Sequence, residues 1–296
     1  MYVSLKSPNP RKAMFNFEEY THPAPSYRGT DFWMLNDQLT DEGIEFQLAE
    51  MSRQGIGSFI ARTYIGLKSD YPGPGFKKHI RTIVEGSRKY GLRVFIQAGY
   101  MPEAVLDLPE EFALRHIKVI PKDEAQGKGD ILDVRGDHAF VEVNTLTFLD
   151  MFNAEAIKFY LKQSYEDMWA EFKDDFGGVI QSIWVDEPSY SSAGLPWGNS
   201  LIKAFREKWG YDIRDKVALL FMDEAGYEAV RCHYWLTLQD LLRASYFEQV
   251  HDWCVVNNIQ FSGHLMMEDT LEMQLMRAGA CMPYYKYFDI PGIDHL

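Results

Sequence analysis

One stretch of the chain places two carboxylates where a predicted strand ends. The apolar run Ile180–Val185 is followed at once by Asp-Glu-Pro at positions 186–188. Proline disfavours the helical conformation for the residue before it, so we expect Glu187 to be extended at the end of the strand. Trp184 and Pro188 place apolar groups next to Glu187 in the sequence. Partial desolvation favours a protonated carboxyl group that can donate its proton. The segment therefore predicts a general acid at Glu187.

A further carboxylate follows another predicted strand. Glu268 comes four residues after His264, beyond the strand Gln260–His264. A general acid and a second carboxylate, acting as nucleophile or base, are the pair that glycoside hydrolysis requires. Glu268 is predicted for the second role, with Asp294 as the next candidate. The alternative is that Glu268 caps the following helix. Asp186 should point to the other side of its strand and be structural, paired with an arginine or a backbone amide.

The spacing of His264 and Glu268 would also suit a metal ion, but the pattern is weak. We predict no metal site and no cofactor. Whether a calcium ion is bound is left open at this point.

Polar and aromatic side chains follow each predicted strand at its C-terminal end. In a barrel of parallel strands, this edge is where catalytic and binding residues usually lie. Any one of them could instead be a helix cap or a surface residue, and Asp289 could accept backbone hydrogen bonds in a Pro-Gly turn. The residues predicted to bind substrate are Trp33, Asp37, Arg62, Tyr64, Tyr190, His264, Asp289, Asp294 and His295.

Strands and helices alternate from about residue 30 onward. The first helix carries Ile44, Leu48 and Met51 at i, i+4 and i+7 and stops at Gly55. Such alternation predicts a parallel sheet with helices outside it, and the glycine motif of a dinucleotide-binding fold does not follow the first strand. The predicted strands are Asp31–Leu35, Ile56–Ala61, Arg93–Gln97, Ile180–Val185, Gln260–His264 and Tyr284–Asp289.

These patterns predict an α/β fold, a TIM-like (β/α) barrel with about six recognisable βα units, either complete or truncated. Residues 1–30, rich in Pro, Asn, Ser and Tyr, should form an N-terminal arm packed on a barrel of residues 31–296. The helical period vanishes at about residues 99–149, which predicts a β-rich excursion after the third strand.

Composition excludes several classes of partner. The net charge is −13, from 43 acidic and 30 basic residues without a long basic run, so nucleic acid is not expected to bind. Cys232, Cys254 and Cys281 lack CxxC spacing and are expected to be reduced thiols. No signal peptide or apolar run of about 20 residues is present, which predicts a cytoplasmic protein without membrane association. The aromatic share of 15% suits both a core and stacking on sugar rings.

Four segments together resemble a known family: Asp31–Asp37, Trp184–Tyr190, Ser262–His264 and Asp289–Leu296. They are similar to the catalytic barrel of bacterial α-L-rhamnosidases of family 106, which are related in architecture to the clan that includes β-galactosidases. The resemblance implies a glycoside hydrolase acting on a carbohydrate, with Glu187 as general acid after strand four and Glu268 as the best match for the second carboxylate. The competing interpretation is a non-catalytic or degenerate glycosidase relative that binds carbohydrate.

A six-stranded sheet leaves two edges with unpaired backbone groups, which proteins usually cover or pair. We expect the arm at residues 2–27 to cover part of this gap. A second copy of the chain should cover the rest, which predicts a homodimer. The aromatic surface assigned to that contact consists of Tyr284, Tyr285, Tyr287 and Phe288.

Overall fold

The computed structural model describes residues 15–69, 71, 73–97, 107–189 and 194–294. The strands of this part of the chain are, in order, β1 (Thr30–Leu35), β2 (Ser58–Thr63), β3 (Arg93–Gln97), β4 (Ala113–Pro121), β5 (Asp130–Arg135), β6 (His138–Leu149), β7 (Ile180–Val185), β8 (Leu195–Trp197), β9 (Gln260–Gly263) and β10 (Ile290–Pro291). The helices are α1 (Phe17–Thr21), α2 (Asp41–Arg53), α3 (Pro74–Tyr90), α4 (Ala154–Phe172), α5 (Asn199–Trp209), α6 (Tyr227–Leu242), α7 (Glu248–Val256), α8 (Leu271–Ala278) and α9 (Met282–Tyr285). None of the described helices is long and apolar enough to cross a bilayer.

Six strands form one parallel sheet in the order β1-β2-β3-β7-β9-β10. Parallel neighbours need a crossover connection, and helices supply it between most of these strands. The spatial order of the six strands is also their order in the chain. Their C-terminal ends therefore lie along one edge, in a mixed α/β fold with a parallel sheet and helices.

The two faces of the parallel sheet are buried differently. Successive strand residues point to opposite faces. On the face covered by helices, Phe59 and Ile183 belong to the large core. On the other face, their neighbours Ile60 and Trp184 belong to a small separate cluster that includes Phe95. This second face leads directly to the edge where the polar residues collect.

A second sheet is antiparallel, with the strand order β5-β6-β4-β8. Three of its strands come from the segment between β3 and α4, and β8 comes from the segment after β7. Leu114, Ile117 and Phe140 join this sheet to the large core. The division of the chain at residues 30, 99 and 149 stays a prediction.

Local chemistry explains where the first long helices begin and end. Thr40 Oγ1 accepts a hydrogen bond from Gly43 N at 3.1 Å at the start of α2, and Asn153 Oδ1 accepts one from Glu155 N at 3.0 Å at the start of α4. Gly91 ends α3 in the left-handed conformation, with a φ of 70°. Gly91 lies two residues before the start of β3.

The last predicted strand is wrong. Residues 284–289 instead form the end of α9 and a turn, and the short strand β10 comes after them. Pro283 lies in the first turn of α9, where a missing N–H is tolerated. Tyr284 is fully buried and stacks on Phe247 with ring centroids 4.5 Å apart. Since Tyr287 and Phe288 are buried as well, these residues do not form the exposed aromatic surface assigned to a dimer.

Candidate active site

Strands of the parallel sheet deliver polar side chains to one edge. Arg62 lies near the end of β2, Glu187 follows β7, His264 follows β9 and Asp294 follows β10. Because the carboxyl ends of parallel strands meet at the same edge, these four side chains converge although Arg62 and Asp294 are far apart in the sequence.

Two glycines bring the last strands close together. A Cβ on Gly263, whose φ is 144°, would lie 2.2 Å from the carbonyl oxygen of Val185. Gly292 N donates a hydrogen bond to Gly263 O at 2.8 Å, and a Cβ on Gly292 would lie 2.9 Å from the same oxygen. Only glycine tolerates this backbone approach. It places His264 beside the end of β7 and Asp294 just beyond β10.

The backbone at Glu187 is strained and not extended as predicted. Its φ is 47°, a left-handed conformation that costs a residue other than glycine on the order of 1–3 kcal/mol. β7 ends at Val185, so this turn interrupts the alternation expected for a strand. Asp186 and Glu187 consequently face the same group of side chains instead of opposite sides.

Glu187, His264 and Asp294 form a compact cluster, which we call the acidic triad. One nitrogen or oxygen atom from each residue lies within 4.8 Å of the other two. His264 is buried, whereas the two acidic residues are half-buried. Two carboxylates at this separation suit acid and nucleophile chemistry, and together with the imidazole they could also hold a cation.

A buried ion pair supports the acidic triad. Asp186, only 5% exposed, forms an ion pair with Arg62. Its Oδ1 also lies 3.2 Å from His264 Nε2, while His264 Nδ1 lies 3.2 Å from the carbonyl oxygen of Leu265. The imidazole is thus held on both sides. Asp186 pairs with an arginine, as the sequence predicted, and orients a member of the triad.

Arg62 carries positive charge into the site. Its guanidinium carbon lies 5.4–5.7 Å from three ring centroids, those of Phe32, Tyr64 and Trp184. Burial lowers the pKa of Arg62, and the nearby groups of Tyr64, Glu187 and Asp294 partly oppose that shift. The cation therefore faces both carboxylates of the triad as well as Asp186.

Glu268 is held by three hydrogen bonds. Its Oε1 accepts from Leu265 N at 2.9 Å and from the Tyr285 hydroxyl at 2.5 Å, and its Oε2 accepts from Asp294 N at 3.0 Å. Burial and the bond to Glu268 raise the pKa of Tyr285, which keeps its hydroxyl a donor. Glu268 therefore ties the loop after β9 to the loop that carries Asp294. This geometry favours a positioning role, and the catalytic role of Glu268 stays a prediction.

Several residues predicted to bind substrate do lie together. Arg62, Tyr64, His264 and Asp294 surround Glu187 at the edge described above. Tyr190 and His295 lie outside the described residues.

The structure places three other predicted residues away from the triad. Trp33 is buried in the large core on the helix-covered face. Asp37 is exposed and pairs with Lys68 at 2.6 Å, which lowers the pKa of Asp37. Asp289 precedes β10, and its Oδ2 accepts a hydrogen bond from Phe261 N at 2.9 Å. The last contact is the backbone role that the sequence left open for Asp289.

Sequence reasoning missed Phe32. Its ring packs edge-on against Trp184 with centroids 5.1 Å apart, on the face that leads to the site. Positions 32–35 are all apolar, so alternation could not show whether Phe32 or Trp33 faces that side. Pairing of Phe32 with Ile60 in β2 would have revealed it, but only the folded sheet defines that register.

The acidic triad fits calcium poorly. Ca²⁺ takes about six to eight oxygen ligands. The triad offers two carboxylates and one imidazole nitrogen, a donor that suits a transition metal better. Calcium binding stays a prediction.

The solved structures that share this fold include two glycoside hydrolases. A rhamnosidase from Novosphingobium sp. PP1Y aligns with a TM-score of 0.61 and 14% identity, over 92% of this chain and 48% of that one. A beta-galactosidase from the psychrophilic Marinomonas ef1 aligns with a TM-score of 0.53 and 14% identity, over 90% of this chain and 41% of that one. No family model and no curated protein matches the sequence. The chain spans less than half the length of either neighbour, and it has a glycoside hydrolase-like fold.

Proposed function

We propose that this chain hydrolyses O-glycosidic bonds. The observation that carries the proposal is the approach of the Glu187 and Asp294 carboxylates to within 4.8 Å at the C-terminal edge of a parallel sheet. The fold shared with a rhamnosidase and a beta-galactosidase supports it. We further propose that the sheet belongs to a TIM-like barrel related to the family 106 α-L-rhamnosidases.

Glu187 acts as the general acid. Its protonated carboxyl group donates the proton to the glycosidic oxygen while the bond from that oxygen to the anomeric carbon breaks. The Asp294 carboxylate attacks the anomeric carbon and forms a glycosyl ester. Water then adds to the same carbon, gives its proton to Glu187 and releases Asp294, which restores both groups. In this retaining route the second carboxylate attacks the anomeric carbon directly, and its carboxyl group typically lies about 5–5.5 Å from that of the acid.

Arg62 and the aromatic rings prepare the site for this chemistry. The positive charge of Arg62 beside the two carboxylates offsets their mutual repulsion, which allows them to lie close together. Phe32 and Tyr64 are each 46% exposed beside that cation, which leaves ring surface on which a sugar can stack. Asp294, and not Glu268, is the second carboxylate in this proposal.

Hydrolysis of p-nitrophenyl glycosides tests the proposal, beginning with the α-L-rhamnoside and the β-D-galactoside. The full chain is compared with a Glu187→Gln, Asp294→Asn double variant purified in parallel. We expect nitrophenol release by the wild-type chain alone, with both proteins folded. Equal release by the two proteins would indicate a contaminating enzyme and contradict the proposal. Binding of free sugars without turnover of any glycoside would favour the competing function, a degenerate relative that only binds carbohydrate.

Assembly and location are separate predictions. A homodimer would have to use a surface other than the aromatic one first assigned to it, because those residues are largely buried. Light scattering on the purified chain measures its oligomeric state directly. The cytoplasmic location also stays a prediction.

A further inference from the structure

A polar cavity lies apart from the acidic triad, between the antiparallel sheet and the first turns of α4 and α5. Its volume is about 210 Å³, and we call it the α5 cavity. None of the residues that line it belongs to the triad or to the Arg62 network. The residues that line it include Glu111, Arg115, Glu142, Asp150, Trp197 and Ser200.

Asp150 is the most unusual group in the α5 cavity. It is 9% exposed, and its Oδ1 accepts a hydrogen bond from Phe152 N at 3.0 Å. Among the described residues, nothing hydrogen-bonds to its second oxygen. Burial raises the pKa of Asp150 to about 7, so the carboxyl group can serve as donor or acceptor near neutral pH. The second oxygen at the cavity wall can therefore accept or donate a hydrogen bond to a bound molecule.

Hydrogen-bond donors line the cavity as well. The side chain of Trp197 forms part of the wall, but its indole nitrogen is closed off from solvent and is not one of these donors. In α5 the first N–H that hydrogen-bonds within the helix is that of Ile202, which donates to Gly198 O. The N–H groups of the turn before it have no partner within the helix. Arg115 adds a cation, paired with Glu142 at 2.9 Å.

The mixture of groups defines the class of ligand. Three acidic residues against one arginine disfavour an anion. The described carboxylates around the cavity do not cluster closely enough to hold a metal ion. Groups that donate next to groups that accept suit hydroxyls, each of which does both. The volume lies below the roughly 300–1,000 Å³ of sites for drug-sized ligands, which excludes an oligosaccharide.

We propose that the α5 cavity is a second binding site, for a small neutral polyhydroxylated ligand of monosaccharide size. The ligand satisfies the free oxygen of Asp150 and the N–H groups at the start of α5. The proposal goes beyond glycoside hydrolysis and does not depend on it, since the two sites share no residue.

Isothermal titration with L-rhamnose and D-galactose tests this site. The proteins are the wild-type chain, Asp150→Asn, and Ser200→Phe, which fills the cavity from a half-buried position at the start of α5. We expect Asp150→Asn to weaken one binding event about fivefold, as for the loss of one net hydrogen bond, and Ser200→Phe to abolish it. The exposed Asp123→Asn is the matched control and should bind like the wild type.

The Glu187→Gln, Asp294→Asn double variant separates the two sites. Binding at the α5 cavity should persist in it with an unchanged Kd. The opposite result is binding that disappears in this double variant but is unaffected by Asp150→Asn and Ser200→Phe. Such binding occurs at the triad, and it would overturn the proposal. The proposal is also overturned if neither sugar binds the wild-type chain at about 20 mM, because the cavity would then hold only water. Thermal melts identify a variant that fails to fold, and Glu111→Gln at an exposed lining position then replaces it.

Discussion

Glu187 after β7 and Glu268 after β9 carry the same side chain in neighbouring loops, yet their surroundings differ. Glu268 accepts three hydrogen bonds, two of them from backbone N–H groups, and the left-handed residue of its loop is its neighbour Met267, with a φ of 57°. Glu187 has a φ of 47°, and no described residue hydrogen-bonds to its carboxyl group. The Glu268 oxygens are committed to holding two loops together, whereas the Glu187 oxygens are available to a substrate.

The difference indicates that Glu268 supports the loops of the site, whereas Glu187 is available for the reaction. A carboxylate whose oxygens already accept several hydrogen bonds holds its partners in place and has fewer acceptor sites left for a substrate. A carboxyl group without such bonds on a strained backbone must be kept in place by its neighbours, and strained residues cluster at functional sites. Here the neighbours are His264 and the ion pair of Arg62 with Asp186.

The largest expected effect is the loss of catalysis in Glu187→Gln. The amide keeps the shape of the side chain but cannot donate a proton as an acid, so kcat/KM should fall by about 10²–10⁴-fold. Tm should stay close to that of the wild type. Aryl glycoside kinetics and a thermal melt measure the two quantities. The exposed Glu228→Gln serves as control, and a large drop in Tm for Glu187→Gln would make Glu187 structural and remove the contrast.

Gly263→Ala should disturb both the loop after β7 and the loop after β9. The new Cβ would lie 2.2 Å from the carbonyl oxygen of Val185, and a φ of 144° is strained for any other residue. We expect a loss of at least about 3 kcal/mol in the free energy of unfolding, because backbone must move to accept the methyl group. Urea denaturation measures it. At Gly75, where a Cβ meets nothing within 4 Å, the same substitution should be nearly neutral.

Glu268→Gln should lower stability more than activity, the reverse of the effect expected for Glu187→Gln. A glutamine offers only one acceptor oxygen, so the Asp294 or Leu265 N–H, or the Tyr285 hydroxyl, loses its bond. The expected cost is about 1–3 kcal/mol of stability, measured by urea denaturation, with a moderate fall in activity as Asp294 loses support. Glu272→Gln, an exposed position on α8, is the matched control. Inactivation without destabilisation would instead support the catalytic role predicted for Glu268.

Asp150 extends the comparison to a buried carboxyl group with one free oxygen. Its pKa is raised to about 7 from an ordinary value of 3.8, so the folded state favours the protonated form. Its contribution to stability is complete below about pH 4 and is lost as pH rises through about 7. Asp150→Asn removes this loss. Its Tm minus that of the wild type should therefore be larger at pH 8 than at pH 5, by about 2–4 °C for each kcal/mol. An equal difference at both pH values would show that Asp150 titrates normally.

The sequence alone was sufficient for the strands that carry long apolar runs and for the helices between them. β3, β7 and β9 lie where the apolar runs predicted them, within a residue, because such runs between turn signals need no partner to be recognised. Glu187 at the end of β7 could be singled out for the same reason. His264 and Asp294 could be named from their positions after predicted strands, but not their mutual distance.

The tertiary structure decided which neighbouring residue faces which side. Phe32 and Trp33 are both apolar, so only the register with β2 assigns Phe32 to the site and Trp33 to the core. The left-handed turn at Glu187, which brings it beside Asp294, is imposed by packing against local preference. The hydrogen bonds that make Glu268 a link come from Tyr285 and Asp294, up to 26 positions later in the chain. Such contacts have no local signature, because they exist only once the ends of β9 and β10 lie side by side.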